Sequence, residues 1–280
     1  MNKQWIEGKL GVVIFAVICL CGACTNPPAQ SEAIETQVPM ETQVPRDYSD
    51  QILAASVQIS MTLQPGPADQ INQNPDPTQP EAEKVTARGL GTLVEVDSKT
   101  WLITHNHWGD ELNDMSYVHI CDSWNRPLRN MFGYQFKELI EYADDGTLIL
   151  SVPKGLLTEM TRNSGDTLKA GEIGESQVIT SGDFVQVARR SPGLRDSLEV
   201  IYATIESLSE FEGLPVFVLH SLNGKQLLVG DSGGGTWYEG KLVGNIWATL
   251  MVPQPVSGTD MGTQNPVATD VSYAAVYPGE

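Results

Sequence analysis

Ser232 stands in the run GDSGGG, residues 230–235. A serine flanked by glycines on a tight turn leaves its Oγ open, because no neighbouring side chain blocks an incoming carbonyl. The same turn lets adjacent backbone N–H groups converge on one point, as stabilising a developing oxyanion requires. Glycine and serine are also ordinary turn residues, so the run alone fits an incidental hairpin as well. A hydroxyl nucleophile needs a base near neutral pKa. Histidine is scarce: the chain has His105, His107, His119 and His220. Two of these lie in LITHNHWGD (102–110), where an apolar strand end leads into His107. The remaining element of such chemistry is a carboxylate that orients the imidazole and stabilises its cation. ADDGTLILSV (143–152) puts Asp144 and Asp145 directly before an apolar strand, a place that reads equally as a turn. Taken together, His107, Asp145 and Ser232 follow one another in the order His, Asp, Ser.

That order is the one found in chymotrypsin, against Ser-Asp/Glu-His in α/β-hydrolases and Asp-His-Ser in subtilisin. Over roughly residues 50–280 the chain resembles the chymotrypsin-like (trypsin-like) serine peptidases. GDSGGG resembles the family's GDSGGP box, and KLVGNIWA (241–248) the hairpin strand after it. LITHNHW is similar to the hydrophobic-T-A-A-H-C box, which aligns His107 and not His105 with the base. DGTLIL is similar to D-I-x-L-L, with Asp145 as the acid, and GLGTLV (89–94) to the strand before the histidine box. The resemblance implies an all-β fold of two six-stranded antiparallel β-barrels with the active site between them. It implies a serine endopeptidase acting through an acyl-enzyme, with backbone N–H groups of Gly230 and Ser232 as oxyanion donors. A peptide or protein is the implied substrate, and no cofactor or metal is called for. The chain departs from the family in three places. Trp108 stands where a disulfide cysteine is expected, and Gly235 where the box has proline. The activating I-V-G-G terminus is absent, so Asp231 must find another partner. Gln226, six residues before the serine, gives no support for Lys or Arg specificity.

Two other readings compete. His105 and His107 lie two apart and would share one face of a strand, so with Asp110 or Glu111 they could bind zinc, although no further HxH or CxxC element supports it. A peptidase fold that has lost catalysis and kept its groove would be a binding lipoprotein. HNH spells a nuclease motif, but the formal net charge of −18 excludes the basic footprint that nucleic acid requires.

Many short strands must position these residues. Candidates are ILAASVQISM (52–61), ARGLGTLVEV (87–96), TWLITH (100–105), MSYVHICD (115–122) and DGTLILSV (145–152). SQVITSG, DFVQVARR, LEVIYATIESL, LPVFVLHSL, KQLLVGD and LVGNIWATLMV follow. FKELIEYA (136–143) reads as a short helix. The stretch 65–84, rich in Pro, Asn and Gln, reads as a long exposed loop. Turn residues abound, with 26 Gly and 17 Pro, and 41% apolar residues suffice for a sizeable core. Such a pattern indicates a sandwich or a barrel pair.

The first residues read as a targeting segment. Lys3 and Lys9 precede LGVVIFAVICL (10–20), which has the length of a signal-peptide core and is short for a spanning helix. CGAC (21–24) resembles a lipobox, so residues 1–23 read as a lipoprotein signal peptide and Cys24 as the lipidation site. Cys21, a plain secretory signal and an uncleaved anchor are the alternatives. Residues 24–47, with ETQVP twice, read as a low-complexity tether to a peptidase domain over 48–280. Every option exports that domain, and lipid at Cys24 would hold it on the membrane. Cys121 is then the domain's single cysteine, without a disulfide partner in it, and reads as a small buried apolar residue.

Overall fold

The computed structural model describes residues 46–62, 86–108, 112–192, 197–252 and 267–276. The signal peptide, Cys24, all of the tether before residue 46, the loop 65–84 and the pair Asp110 and Glu111 lie outside them.

The chain enters through α1 (Ser49–Ala55) and turns directly into strand β1 (Ser56–Thr62). The expected strand over 52–61 is therefore half helix. Its first half, ILAA, carries the strong helix formers Leu53, Ala54 and Ala55, and Ile52 and Ala55, three apart, bury one helical face. Ser56 ends the helix: its backbone becomes extended while its Oγ donates to the Ile52 carbonyl at 2.7 Å. Strands β2 (Thr86–Val96), β3 (Lys99–Thr104), β4 (Tyr117–Asp122) and β5 (Pro127–Phe132) follow. FKELIEYA divides between α2 (Gly133–Lys137) and strand β6 (Ile140–Ala143), an ambiguity inherent in a short apolar run. Strand β7 (Leu148–Val152) leads into α3 (Lys154–Asn163), a ten-residue helix that the strand-rich reading did not anticipate. SQVITSG forms a 3₁₀ turn at Ser176–Val178 and no strand. The remaining strands are β8 (Phe184–Arg190), β9 (Leu198–Phe211), β10 (Leu214–Ser221), β11 (Gly235–Tyr238), β12 (Lys241–Val252) and β13 (Val267–Val276).

These strands form two sheets, antiparallel throughout. The first has seven strands in the order β5-β4-β1-β2-β3-β7-β6, and the second closes as the barrel β10-β13-β12-β11-β8-β9. Starting from β1 and from β8, both halves follow one rule. Three strands run in sequence, the neighbour of the third is the last full-length strand of that half, and the order then steps back towards the start. The second half is a six-stranded barrel, as the family resemblance implies. The first repeats its winding as a curled sheet, with β4 and β5 as a hairpin on one side and β6 at the other edge.

Each half has its own core. Val57, Ile59, Leu93, Leu102, Leu148 and Leu150 fill the first, and Val185, Val187, Ile201, Phe217, Leu219 and Ile246 fill the second. A third cluster joins them: Ile52 and Ala55 of α1, Val94 and Ile103 of the first sheet, and Ala188, Trp237 and Leu242 of the barrel. Trp237, 1% exposed, is the largest fully buried side chain in this seam. Trp237→Ala is expected to lower the unfolding free energy by about 3–5 kcal/mol, read from the shift of the denaturant midpoint at constant slope.

Candidate active site

Register brings the three segments singled out in the sequence to one place. Strand β3 ends at Thr104, which pairs with Leu148, the first residue of β7. The loop carrying His105 and His107 and the turn carrying Asp144 and Asp145 therefore leave the sheet side by side. Asn106 Nδ2 donates to the Asp144 carbonyl at 2.5 Å and stitches them together. Asp145 and His107 each lie one residue beyond that contact. Asp144 builds the turn itself: Oδ1 accepts from the N–H groups of Gly146 and Thr147, and Oδ2 from the Tyr142 hydroxyl. Asn245 of β12 ties the same turn to the barrel through Thr147 Oγ1 and the Gly146 carbonyl.

The serine segment docks on this arrangement from the barrel side. Leu90 N–H, in β2, donates to the Ser232 carbonyl at 2.7 Å, and Gly233 N–H to the Ile246 carbonyl at 2.7 Å. Gly233 has φ +85°, and a Cβ there would stand 2.1 Å from the Leu90 carbonyl oxygen. Glycine is needed at this position for both reasons. Thr104 Oγ1 donates to that same Leu90 carbonyl at 2.5 Å.

Upstream, KQLLVGD is a loop and not the expected strand. Asp231 N–H donates to the Leu228 carbonyl at 3.0 Å, closing the four-residue turn 228–231. Gly230 has φ +98° and Val229 no positive φ, which makes it a type II turn with glycine at the position that demands it. The N–H groups of Asp231, Gly233 and Gly234 are all engaged. Among the described residues, those of Gly230 and Ser232 donate to nothing. One of the pair belongs to Ser232 itself and the other lies two residues before it.

Asp231 is buried and answers the question left by the missing activation terminus. Its Oδ1 accepts from Arg190 N–H and its Oδ2 from Leu228 N–H, both at 2.7 Å. Burial still outweighs these donors and the nearby Arg189 and Arg190, and pushes the carboxyl up to about 6.

The two histidines occupy opposite environments. Neither lies within β3, so the strand-face argument for a shared metal site has no footing. His105 is 3% exposed, with its ring 4.2 Å from that of Trp108, the residue standing at the expected cysteine position. His107 N–H donates to His105 Nδ1 at 2.9 Å. That leaves the His105 proton on Nε2, which is buried and has no partner among the described residues. Burial, aided by His107, lowers the His105 pKa to about 3. His107 is exposed and leans on Trp247, ring centroids 5.3 Å apart. Trp247 in turn meets Phe211 edge-on, and Phe211 stacks on Tyr273. Partial desolvation of the ring lowers the His107 pKa, and Glu212 opposes this. Asp145 is exposed. Among the described residues no hydrogen bond joins the side chains of Ser232, His107 and Asp145, although their backbones converge. Catalytic hydrogen bonds are often long before substrate binds. No group of three or more His, Cys, Asp or Glu among the described residues is placed to hold a metal ion. Cys121 is half-buried and free, and burial raises its pKa, the opposite of an activated thiolate.

A duplicated strand order, with a glycine-rich serine turn docked at the seam, decides the architecture. The fold is that of the chymotrypsin-like serine peptidases. No family model matches the chain, and no curated protein gives a significant match. Solved structures that it resembles include the HtrA-type protease AlgW with tripeptide, at 12% identity and a TM-score of 0.49 over 82% of this chain and 60% of that one. AlgW with decapeptide is similar at 14% identity and a TM-score of 0.46, over 80% and 61%. Rv3671c from M. tuberculosis H37Rv, in an inactive form, is similar at 12% identity and a TM-score of 0.44, over 80% and 82%. The chain thus spans about three-fifths of the AlgW chains.

Sequence reading missed the residues that hold this site: Asn106, Arg190, Asn245 and Trp247. Asn106 sits between the two histidines, so its place was visible though its role was not. The others come from strands remote in the chain.

The Asp231 carboxyl titrates at about 6 in the folded protein and about 3.9 in the unfolded chain. Between those values the folded state holds the extra proton. Its contribution to stability is therefore greatest below about pH 4 and declines as pH rises through about 6. Asp231→Asn should remove that decline from denaturant melts between pH 4 and 7. Stability curves that run parallel for the two proteins would show that Asp231 ionises like a free carboxylate.

Proposed function

We propose that the chain is a serine-type endopeptidase. Ser232 Oγ attacks the peptide carbonyl while His107 accepts its proton. His107 then protonates the leaving amine, and water hydrolyses the acyl-enzyme by the same route. Asp145 orients His107 and stabilises its cation, and the N–H groups of Gly230 and Ser232 receive the oxyanion. The observation that carries the reading is that pair of N–H groups, left open beside Ser232 by a type II turn while their neighbours are engaged. His107 suits the role of base better than His105, whose sealed ring and low pKa leave it neutral and out of reach.

A second reading has two observations in its favour. Asp145 is exposed and no hydrogen bond joins the three side chains among the described residues, as in a peptidase fold kept only for binding. Labelling with a fluorophosphonate probe separates the two. Wild-type protein is expected to label and Ser232→Ala not to. A wild-type protein that binds peptides and never labels would be a binding protein. Where labelling occurs, its rate should hold to a lower pH than an unperturbed imidazole near 6.5 allows, because burial lowers His107, and His107→Ala should abolish it.

The domain acts outside the cytoplasm in this proposal, held to the membrane by lipid on Cys24. Metabolic labelling with an alkyne fatty acid should mark the full chain and not Cys24→Ser, and equal labelling of both would refute that anchor.

A further inference from the structure

We propose that Arg190 is the positioning residue of the oxyanion turn, a role that rests on the peptidase reading above and extends it. Arg190 ends strand β8 and lies beneath the turn 228–231. Its Nε donates to the Gly230 carbonyl at 3.2 Å, and its backbone N–H holds Asp231 Oδ1 at 2.7 Å. The same guanidinium crosses to the first sheet, where Nη1 donates to Gln58 Oε1 of β1 at 3.0 Å and Nη2 to the Gly89 carbonyl of β2 at 3.2 Å. One side chain thus joins the turn to both halves of the fold, and a Cβ at Gly230 would stand 3.5 Å from its Nε.

The loop needs such an anchor. It carries Val229, which is 86% exposed, and Gly230, the most conformationally free residue type. Its own hydrogen bonds close the turn but do not say where the turn stands relative to the first sheet. Ser232 is fixed separately, through its carbonyl on Leu90. The two donors must nevertheless converge on one oxygen, and displacements near 1 Å are costly there. Guanidinium suits this task because its planar fork presents five donors in fixed directions, whereas an ammonium is a single point. Arg189, the neighbour, faces elsewhere: it pairs with Glu199 at 2.6 Å and donates to the Gln226 carbonyl. Each of these partners of Asp231 and Gly230 comes from within the domain.

Arg190→Ala tests this with two independent readouts. Kinetically, kcat should fall about 10- to 100-fold with KM changed little, and a peptide boronate should lose affinity in proportion, because the affected donors act on the tetrahedral state. Added methylguanidine should restore part of the rate. Spectroscopically, the Gly230 and Ser232 amide resonances should shift or broaden in Ser232-active and Ser232-blocked protein alike, while those of β13 stay in place. Should Arg190→Ala melt below the assay temperature, Arg190→Lys carries the test, since it keeps the charge and serves fewer acceptors. Unmoved Gly230 and Ser232 resonances, together with kcat within twofold of wild type, would overturn the role of Arg190. Loss of rate in proportion to lost thermal stability, without rescue, would overturn it as well. If wild-type protein neither labels nor cleaves while the two resonances move in Arg190→Ala, the peptidase reading falls and Arg190 is left as the anchor of the turn 228–231 without an oxyanion to serve.

Discussion

The site depends on a backbone approach that tolerates no side chain. Leu90 N–H reaches the Ser232 carbonyl at 2.7 Å, and Gly233 lies so close to the Leu90 carbonyl that a Cβ would overlap it. This contact sets the barrel's serine turn against the first sheet. Thr104 Oγ1 joins the same carbonyl, so strand β3 and the histidine loop that follows are tied to the same point. Pairing of Thr104 with Leu148 then carries the acid turn along. A bulkier residue at 233 would part the halves where their chemistry meets.

Buried charge is handled by backbone donors and by arginine. Asp231 sits in a desolvated place with two N–H groups on its oxygens. The donors limit the cost of burial without removing it, which is why its pKa rises instead of falling. Arg190 spends its fork on carbonyl and amide oxygens across the seam, and Arg189 pairs with Glu199. The exported-peptidase reading leaves this domain without an internal disulfide. Its halves are held by such polar links and by the apolar seam around Trp237.

The histidines show how neighbouring residues take different roles. His105 is stacked on Trp108 and drained of basicity by burial, and its Nδ1 serves as an acceptor for the next turn of backbone. His107 stands at the surface on an aromatic support from the barrel: Trp247, Phe211 and Tyr273. Only His107 of the pair presents its ring at the surface, and Trp108 fills by packing the place where the family pattern expects a disulfide.

Several features were legible in the residues themselves. Strand composition between turn residues marked β2, β3, β4, β7 and β8 to within three residues at each end, because β-branched and aromatic side chains suit a pleated, packed surface. Glycines 230 and 233 marked a backbone that other residues cannot adopt. The order of His107, Asp145 and Ser232 pointed to one fold family. Other outcomes depended on partners remote in the chain. ILAA became helix because its buried face found the seam, and KQLLVGD became a loop because Asp231 closed a turn upon it. Asp144 took up the turn-forming bonds while Asp145 was left exposed. Arg190 reached groups on the serine turn, β1 and β2. Local sequence specifies period, turn type and chemical kind, since these follow from a residue and its near neighbours. Burial, the pKa values of His105 and Asp231, and the anchoring of the turn by Arg190 were decided only by the tertiary structure, because each depends on which distant groups exclude or replace water.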